Sequence, residues 1–132
     1  MEQKLRFILM IYGIGIDIVK IERMKKVVEK WGRRFLDRVF TKEEISYCYE
    51  KKEPYLSLSV RFAAKEALIK AIGPVSPVSL TDIEIVNVEM GKPILRVKGK
   101  LESILKEKLI KKAHLSLSHE YEYGVACVVL EQ

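Results

Sequence analysis

Arg61 to Gly73 reads RFAAKEALIKAIG, and the rest of the chain organises itself around this stretch. Alanines and leucine favour a helix here, and Gly73-Pro74 stops it. At about 100° per residue, Ala64, Ala67, Leu68, Ala71 and Ile72 share one wide face, and Phe62 and Ile69 extend it. A narrow polar strip remains, with Glu66 and Lys70 one turn apart and Lys65 beside them. A helix that is apolar over most of its circumference is buried, so these charges point into something particular. The plainer alternative is an ordinary i,i+4 Glu-Lys pair on a solvated face.

The chain has 132 residues, 48% hydrophobic and 32% charged, which fits one globular domain. The two cysteines, Cys48 and Cys127, form no CxxC pair and no zinc spacing with His114 or His119, so a reduced, cytoplasmic protein is expected. No stretch approaches the roughly 18 apolar residues that span a bilayer, so no membrane partner is expected. Phe7 to Ile16 is apolar behind Lys4 and Arg6. It lacks a small-x-small cleavage site and runs into Asp17, which favours a buried strand over a signal peptide. A net charge of +6 asks for an acidic or phosphorylated partner.

Read in order, Phe7 to Val19 is the first strand, ending near Asp17. Ile21 to Trp31 is a helix by the spacing of Ile21, Met24, Val27 and Val28, with Gly32 as its stop. Arg33 to Phe40 is a short helical piece. Thr41 to Glu44 is a capping box opening a helix that ends before Pro54. The central helix starts between Tyr55 and Arg61. Gly73 to Ser79 is a loop, and Thr81 to Glu89 a strand. Met90 to Pro93 turns the chain back into Ile94 to Val97. Leu101, Ile104, Leu105 and Leu109 mark an amphipathic helix. His114 to His119 and Gly124 to Leu130 are strands joined by a turn. The pattern predicts a single α+β domain, an antiparallel sheet packed with several helices.

Several motifs fail. Gly13-Ile14-Gly15 is no dinucleotide fingerprint, because Ile18 stands at the third glycine and Asp17 would repel a pyrophosphate unless a cation intervened. There is no P-loop and no nucleophile elbow. Asp17 and Glu66 remain. Two carboxylates in a basic protein suit Mg²⁺, which proteins hold with one or two carboxylates while phosphates and waters complete the octahedron. Arg61, Lys65 and Lys70 would pair with the other phosphate oxygens. The competing reading is a buried structural ion pair.

Phe62-Ala63-Ala64-Lys65-Glu66-Ala67-Leu68-Ile69-Lys70 resembles the xxKEAxxK signature of the 4′-phosphopantetheinyl transferases, and Gly15-Ile16-Asp17 their GxD signature. Tyr12 to Ile18, Arg61 to Ala67, Gly91-Lys92-Pro93 and His114 to His119 fall in the order of the small holo-acyl-carrier-protein synthase family and span nearly the whole chain. The resemblance implies a phosphopantetheinyl-transferase-like domain over residues 10–131. It leaves residues 1–9 as an extension: an extra strand, a mobile tail, or a start assigned too far upstream.

That family transfers 4′-phosphopantetheine from coenzyme A to a serine of apo-acyl carrier protein. The reaction supports fatty acid biosynthesis, uses Mg²⁺ and releases adenosine 3′,5′-bisphosphate. The enzyme is typically a homotrimer with clefts between protomers. By motif, Asp17 and Glu66 are the expected metal ligands. Glu66 and Lys70 are the expected catalytic residues, and Arg61, Lys65, Lys70 and His114 contact coenzyme A, with Arg61 and His114 at its adenosine end. Either Glu66 or a metal-held water it orients is the base. Arg23 matches the family's carrier-facing arginine, and Arg33, Arg34 and Arg38 share its basic segment. The family's usual KAFGTG becomes Lys70-Ala71-Ile72-Gly73-Pro74-Val75, losing a glycine and a hydroxyl.

The rival reading is a basic nucleic-acid-binding module. Lys20 to Lys42 holds nine basic residues against three acids. That charge fits an acidic carrier-protein helix equally well, and no aromatics are interleaved as base platforms. The expectation is therefore a partner protein and no nucleic acid.

Overall fold

The computed structural model describes residues 10–88 and 91–132. The elements follow the alternation and capping of the sequence. Strand β1 is Ile11–Lys20, helix α1 Ile21–Trp31, α2 Arg33–Val39, α3 Lys42–Tyr49 and α4 Pro54–Ile72. A single 3₁₀ turn at Leu80–Asp82 leads into β2, Ile83–Asn87, and β3, Pro93–Val97. Helix α5, Gly99–Glu107, then precedes β4, Lys112–Glu120, and β5, Tyr123–Glu131.

Among the described residues the strands form two antiparallel sheets rather than one. The larger has the order β1-β5-β4, and the smaller is the hairpin β2-β3. The expected α+β class holds, with antiparallel sheets against five helices among the described residues.

Helix α4 is 19 residues, about 28 Å at the usual rise. It begins at Pro54, where proline's missing N–H costs nothing in the first turn and its φ is already helical. It therefore begins about two turns before the alanine-rich stretch that opens at Arg61. It packs on β1 and β5, and Ala63, Ala64, Ala67 and Leu68 are fully buried there. Gly13 and Gly15 make that approach possible. A Cβ on Gly13 would lie 1.9 Å from the Ala71 carbonyl oxygen, and one on Gly15 only 1.8 Å from that of Ala67. Those glycines serve backbone-to-backbone packing, not a nucleotide.

A second apolar cluster joins Met24 and Val28 of α1, Leu36, Val39 and Phe40, Ile45 and Cys48 of α3, and Leu58 of α4. Thr41 caps α3 with both halves of the box formed. Strand β1 runs past Asp17 to Lys20, where the Ile21 amide donates to the Glu122 carbonyl at 2.9 Å and starts α1. Leu109 departs from expectation. Helix α5 ends at Glu107, and Leu109 lies beyond it with φ 60° and 68% exposed. The extension and the first residues expected in strand one lie outside the described residues, as do Glu89 at the end of the expected second strand and Met90 of the expected turn.

The large sheet has two unlike faces. Gly13, Gly15 and Asp17 turn towards α4, while Ile14, Ile16 and Ile18 point away, each more than 60% exposed. On β4, Leu115 and Leu117 pack inwards, while His114, Ser116 and Ser118 are exposed on the other face.

Candidate active site

Asp17 reaches the site because β1 alternates and Gly15, two residues before it, lets α4 come close. Glu66 and Lys70 lie one helical turn apart on α4. The Lys70 ammonium donates to Asp17 Oδ1 at 2.9 Å and to the Ile16 carbonyl at 3.0 Å. Asp17 and Glu66 line one cleft of about 360 Å³ together with Ile18, Lys20, Arg23 and Phe62. Burial pushes the Glu66 carboxyl above its ordinary pKa and the nearby Asp17 charge adds to this, while Lys70 pulls it down. Two carboxylates that repel each other beside one exposed ammonium make a place for a further cation.

Among the described residues, no group of three or more His, Cys, Asp or Glu gathers as a metal cage. A cation here would rely on Asp17, Glu66 and oxygens brought from outside. That donor set fits Mg²⁺, which keeps waters and binds through carboxylates and substrate phosphates. A larger depression of about 620 Å³ lies beside the start of α4, lined by Tyr55, Leu56, His119 and Tyr121 among others, and contains none of Asp17, Glu66 or Lys70.

Two of the basic residues expected to face a phosphate are turned inwards. Lys65 is fully buried. Its ammonium donates to Glu44 Oε1 at 2.6 Å, the Val39 carbonyl at 2.7 Å and the Leu80 carbonyl at 3.1 Å, so all three hydrogens are committed. Burial pushes its pKa down and Glu44 offsets this in part. A residue adjacent to Glu66 is rotated about 100° round the helix, which carries Lys65 to the opposite side of the strip. Arg61 is only 3% exposed. It donates to the Ser57 carbonyl and hydroxyl and to Asn87 Oδ1, and lies over the Tyr47 ring at 4.4 Å.

His114 is not in this cleft either. It sits on the outward face of the sheet, half-exposed, with Nε2 2.9 Å from Glu131 Oε1. Asp17 is on the inward face, so one chain does not bring the two together. Arg23 does join Asp17 and Glu66. Arg34 and Arg38 line a separate groove of about 550 Å³ with Trp31 and Phe35, and Arg33 pairs with Asp37 at 3.0 Å on the exposed side of α2.

Sequence reasoning missed Phe62 and Lys20 as cleft residues and Glu44 as the buried partner of Lys65. Phe62 was legible from its place four residues before Glu66. Glu44 was legible only as a helix cap, because nothing local tells that its second oxygen accepts from the Ile85 amide at 2.9 Å.

The family model of the 4′-phosphopantetheinyl transferase superfamily matches residues 13–128. The holo-[acyl-carrier-protein] synthase of Halothermothrix orenii is 48% identical over 124 residues, covering 93% of this chain and 99% of that protein. A solved holo-[acyl-carrier-protein] synthase from Neisseria meningitidis superposes with a TM-score of 0.86 at 38% identity, over 93% of this chain and all of that one. The synthase from Bacillus anthracis, solved in complex with CoA (3′,5′-ADP), gives a TM-score of 0.75 at 38% identity, over 93% and 98%. With its KEAxxK helix, its GxD strand and its fold all in place over that length, the chain belongs to the holo-[acyl-carrier-protein] synthase family of 4′-phosphopantetheinyl transferases.

Proposed function

We propose that the chain transfers 4′-phosphopantetheine from coenzyme A to a serine of apo-acyl carrier protein with Mg²⁺, in the cytoplasm, for fatty acid biosynthesis. The observation that carries this reading is the cleft in which Asp17, Glu66 and Arg23 meet, with Lys70 bonded to Asp17. Mg²⁺ held by Asp17 and Glu66 would offset the charge of the coenzyme pyrophosphate and polarise the phosphorus to be attacked.

The chain's own groups do the rest. Lys70, half-exposed, exchanges Asp17 for a phosphate oxygen and offsets charge that develops there. The serine oxygen forms a bond to the pantetheine-bearing phosphorus. The bond from that phosphorus to the bridging oxygen breaks, and adenosine 3′,5′-bisphosphate leaves with the oxygen. Glu66, or a water that it orients, takes the serine proton. Lys65 holds α4 from behind, through Glu44, so its contribution is to aim Glu66 rather than to touch phosphate.

Arg23 at the cleft, with Arg33, Arg34 and Arg38 beyond it, would receive the acidic carrier protein. The chain would act as a homotrimer, and the exposed Ile14, Ile16 and Ile18 on the outward face support self-association, since a contiguous apolar sheet face asks to be covered. The outward position of His114 fits a cleft that a neighbouring protomer completes at the coenzyme's adenosine end.

Mass spectrometry of apo-acyl carrier protein incubated with this protein, coenzyme A and Mg²⁺ tests the proposal. The carrier is expected to gain one phosphopantetheine on its serine, and to gain none when a chelator replaces Mg²⁺. An unmodified carrier in the presence of Mg²⁺ would sink the reading.

A further inference from the structure

Glu131 is the second-last residue of the chain, on β5, and its backbone is tied in from both sides. Lys111 donates its amide to the Glu131 carbonyl at 2.8 Å, and Ile11 of β1 is its partner on the other edge. Its side chain lies on the outward face of the large sheet. The residue directly across the strand pair is Lys112, yet the carboxylate takes the imidazole diagonal to it, with His114 Nε2 at 2.9 Å from Oε1. The other oxygen, Oε2, is buried with no hydrogen-bond partner among the described residues. The His114 ring is therefore the hydrogen-bond partner that this carboxylate has among the described residues.

An ionised carboxylate only accepts hydrogen bonds, so at this contact Nε2 carries the hydrogen. A neutral imidazole with Nε2–H has its lone pair on Nδ1, and a charged one has a donor there. From this contact, we infer that Glu131 is a positioning residue for His114: by accepting Nε2–H it fixes the plane of the ring and leaves Nδ1 as the nitrogen that meets the coenzyme. The inference rests on the reading of His114 as a coenzyme-facing residue. It adds which carboxylate aims the ring and which ring atom does the binding. The same logic orients metal-ligating histidines, where a carboxylate on one nitrogen fixes the other.

The test is a double-mutant cycle on the full chain with steady-state kinetics in coenzyme A, joined to the ring N–H spectrum of protein labelled with ¹⁵N-histidine. Glu131→Ala should raise KM for coenzyme A by about tenfold, the size of one lost charge-assisted hydrogen bond, with kcat at saturation within about threefold of wild type. Glu131→Gln, whose amide oxygen accepts the same bond, should return KM to within about threefold. Because Glu131 acts through the ring, His114→Ala/Glu131→Ala should be no worse than His114→Ala alone. In the free protein the Nε2–H proton, shielded from exchange by its bond, should be visible in wild type and Glu131→Gln and lost in Glu131→Ala. An unchanged KM in Glu131→Ala, or an effect that adds to that of His114→Ala, would overturn the inference. Should His114→Ala itself leave KM unchanged, the coenzyme-facing reading of His114 falls, and a surviving Nε2–H signal then marks the pair as a tie between strands only.

Discussion

A lysine ammonium removed from water is costly unless each of its hydrogens finds an acceptor and its charge a counter-charge. Lys65 meets both conditions through Glu44, Val39 and Leu80. Its neighbour Glu66 keeps one side open to the cleft, so adjacent residues serve stability and chemistry separately. Lys65→Met leaves Glu44 buried without its cation, and unfolding stability should fall by about 3–5 kcal/mol, read as a lower denaturation midpoint. In the folded fraction KM for coenzyme A should stay near wild type. A large KM change at unaltered stability would return Lys65 to the phosphate site. Asp17→Ala and Glu66→Ala should do the opposite, each removing Mg²⁺-dependent transfer by at least about 100-fold, since each deletes half of the acidic pair. Their circular dichroism should remain native, because relieving two mutually repelling carboxylates does not weaken the core. Near-normal activity in either variant would exclude that residue as a ligand.

At the scale of elements, the contact between β1 and α4 sets the geometry of the cleft. Asp17 is carried by the strand and Glu66 by the helix, so their separation is the thickness of that contact. Gly15→Ala places a methyl 1.8 Å from the Ala67 oxygen, and the helix must move outwards to admit it. Transfer activity should collapse, and the thermal midpoint should drop by far more than for Gly32→Ala. The Gly32 site is open, with nothing within 4 Å, and only its φ of 56° is strained, a cost of about 1 kcal/mol. Equal effects of the two substitutions would show that the close approach of α4 is not what positions the site. The loop from Gly73 to Ser79 follows the same helix, and the hydrogen bond from Lys65 to the Leu80 carbonyl pins the residue just beyond it.

Over the whole molecule, the two faces of the β1-β5-β4 sheet divide the candidate residues. Asp17, Glu66 and Lys70 belong to one side and His114 with Glu131 to the other. A homotrimer whose clefts pair one protomer's Asp17 with the next one's His114 predicts complementation between two defective chains. Asp17→Ala and His114→Ala proteins, co-expressed or unfolded and refolded together, should regain activity above either alone. With random mixing about a quarter of the clefts hold both native residues. Sedimentation should show trimers throughout. Mixed trimers with no recovered activity would place both residues in a cleft built by one chain, or remove His114 from it.

The central helix, the capping box at Thr41, the strand that carries GxD and the meeting of Asp17 with Glu66 in one cleft were all legible in the sequence, though β1 runs three residues beyond Asp17. Helix propensity, period-2 alternation and turn chemistry act over a few residues, and the family's signatures lie on those same short segments. The separation of Lys65 from Lys70 was not, although both stand in one KEAxxK run. Which side of a helix meets a core, and which meets a cleft, depends on the elements packed on each side, here α3 and β2 on one and β1 on the other. The inward turn of Arg61 onto Tyr47 and Asn87 has the same origin, as does the pairing of Glu131 with His114. Each joins residues many positions apart. Only the packed arrangement of helices and sheets supplies the acceptors that decide where a charged side chain comes to rest.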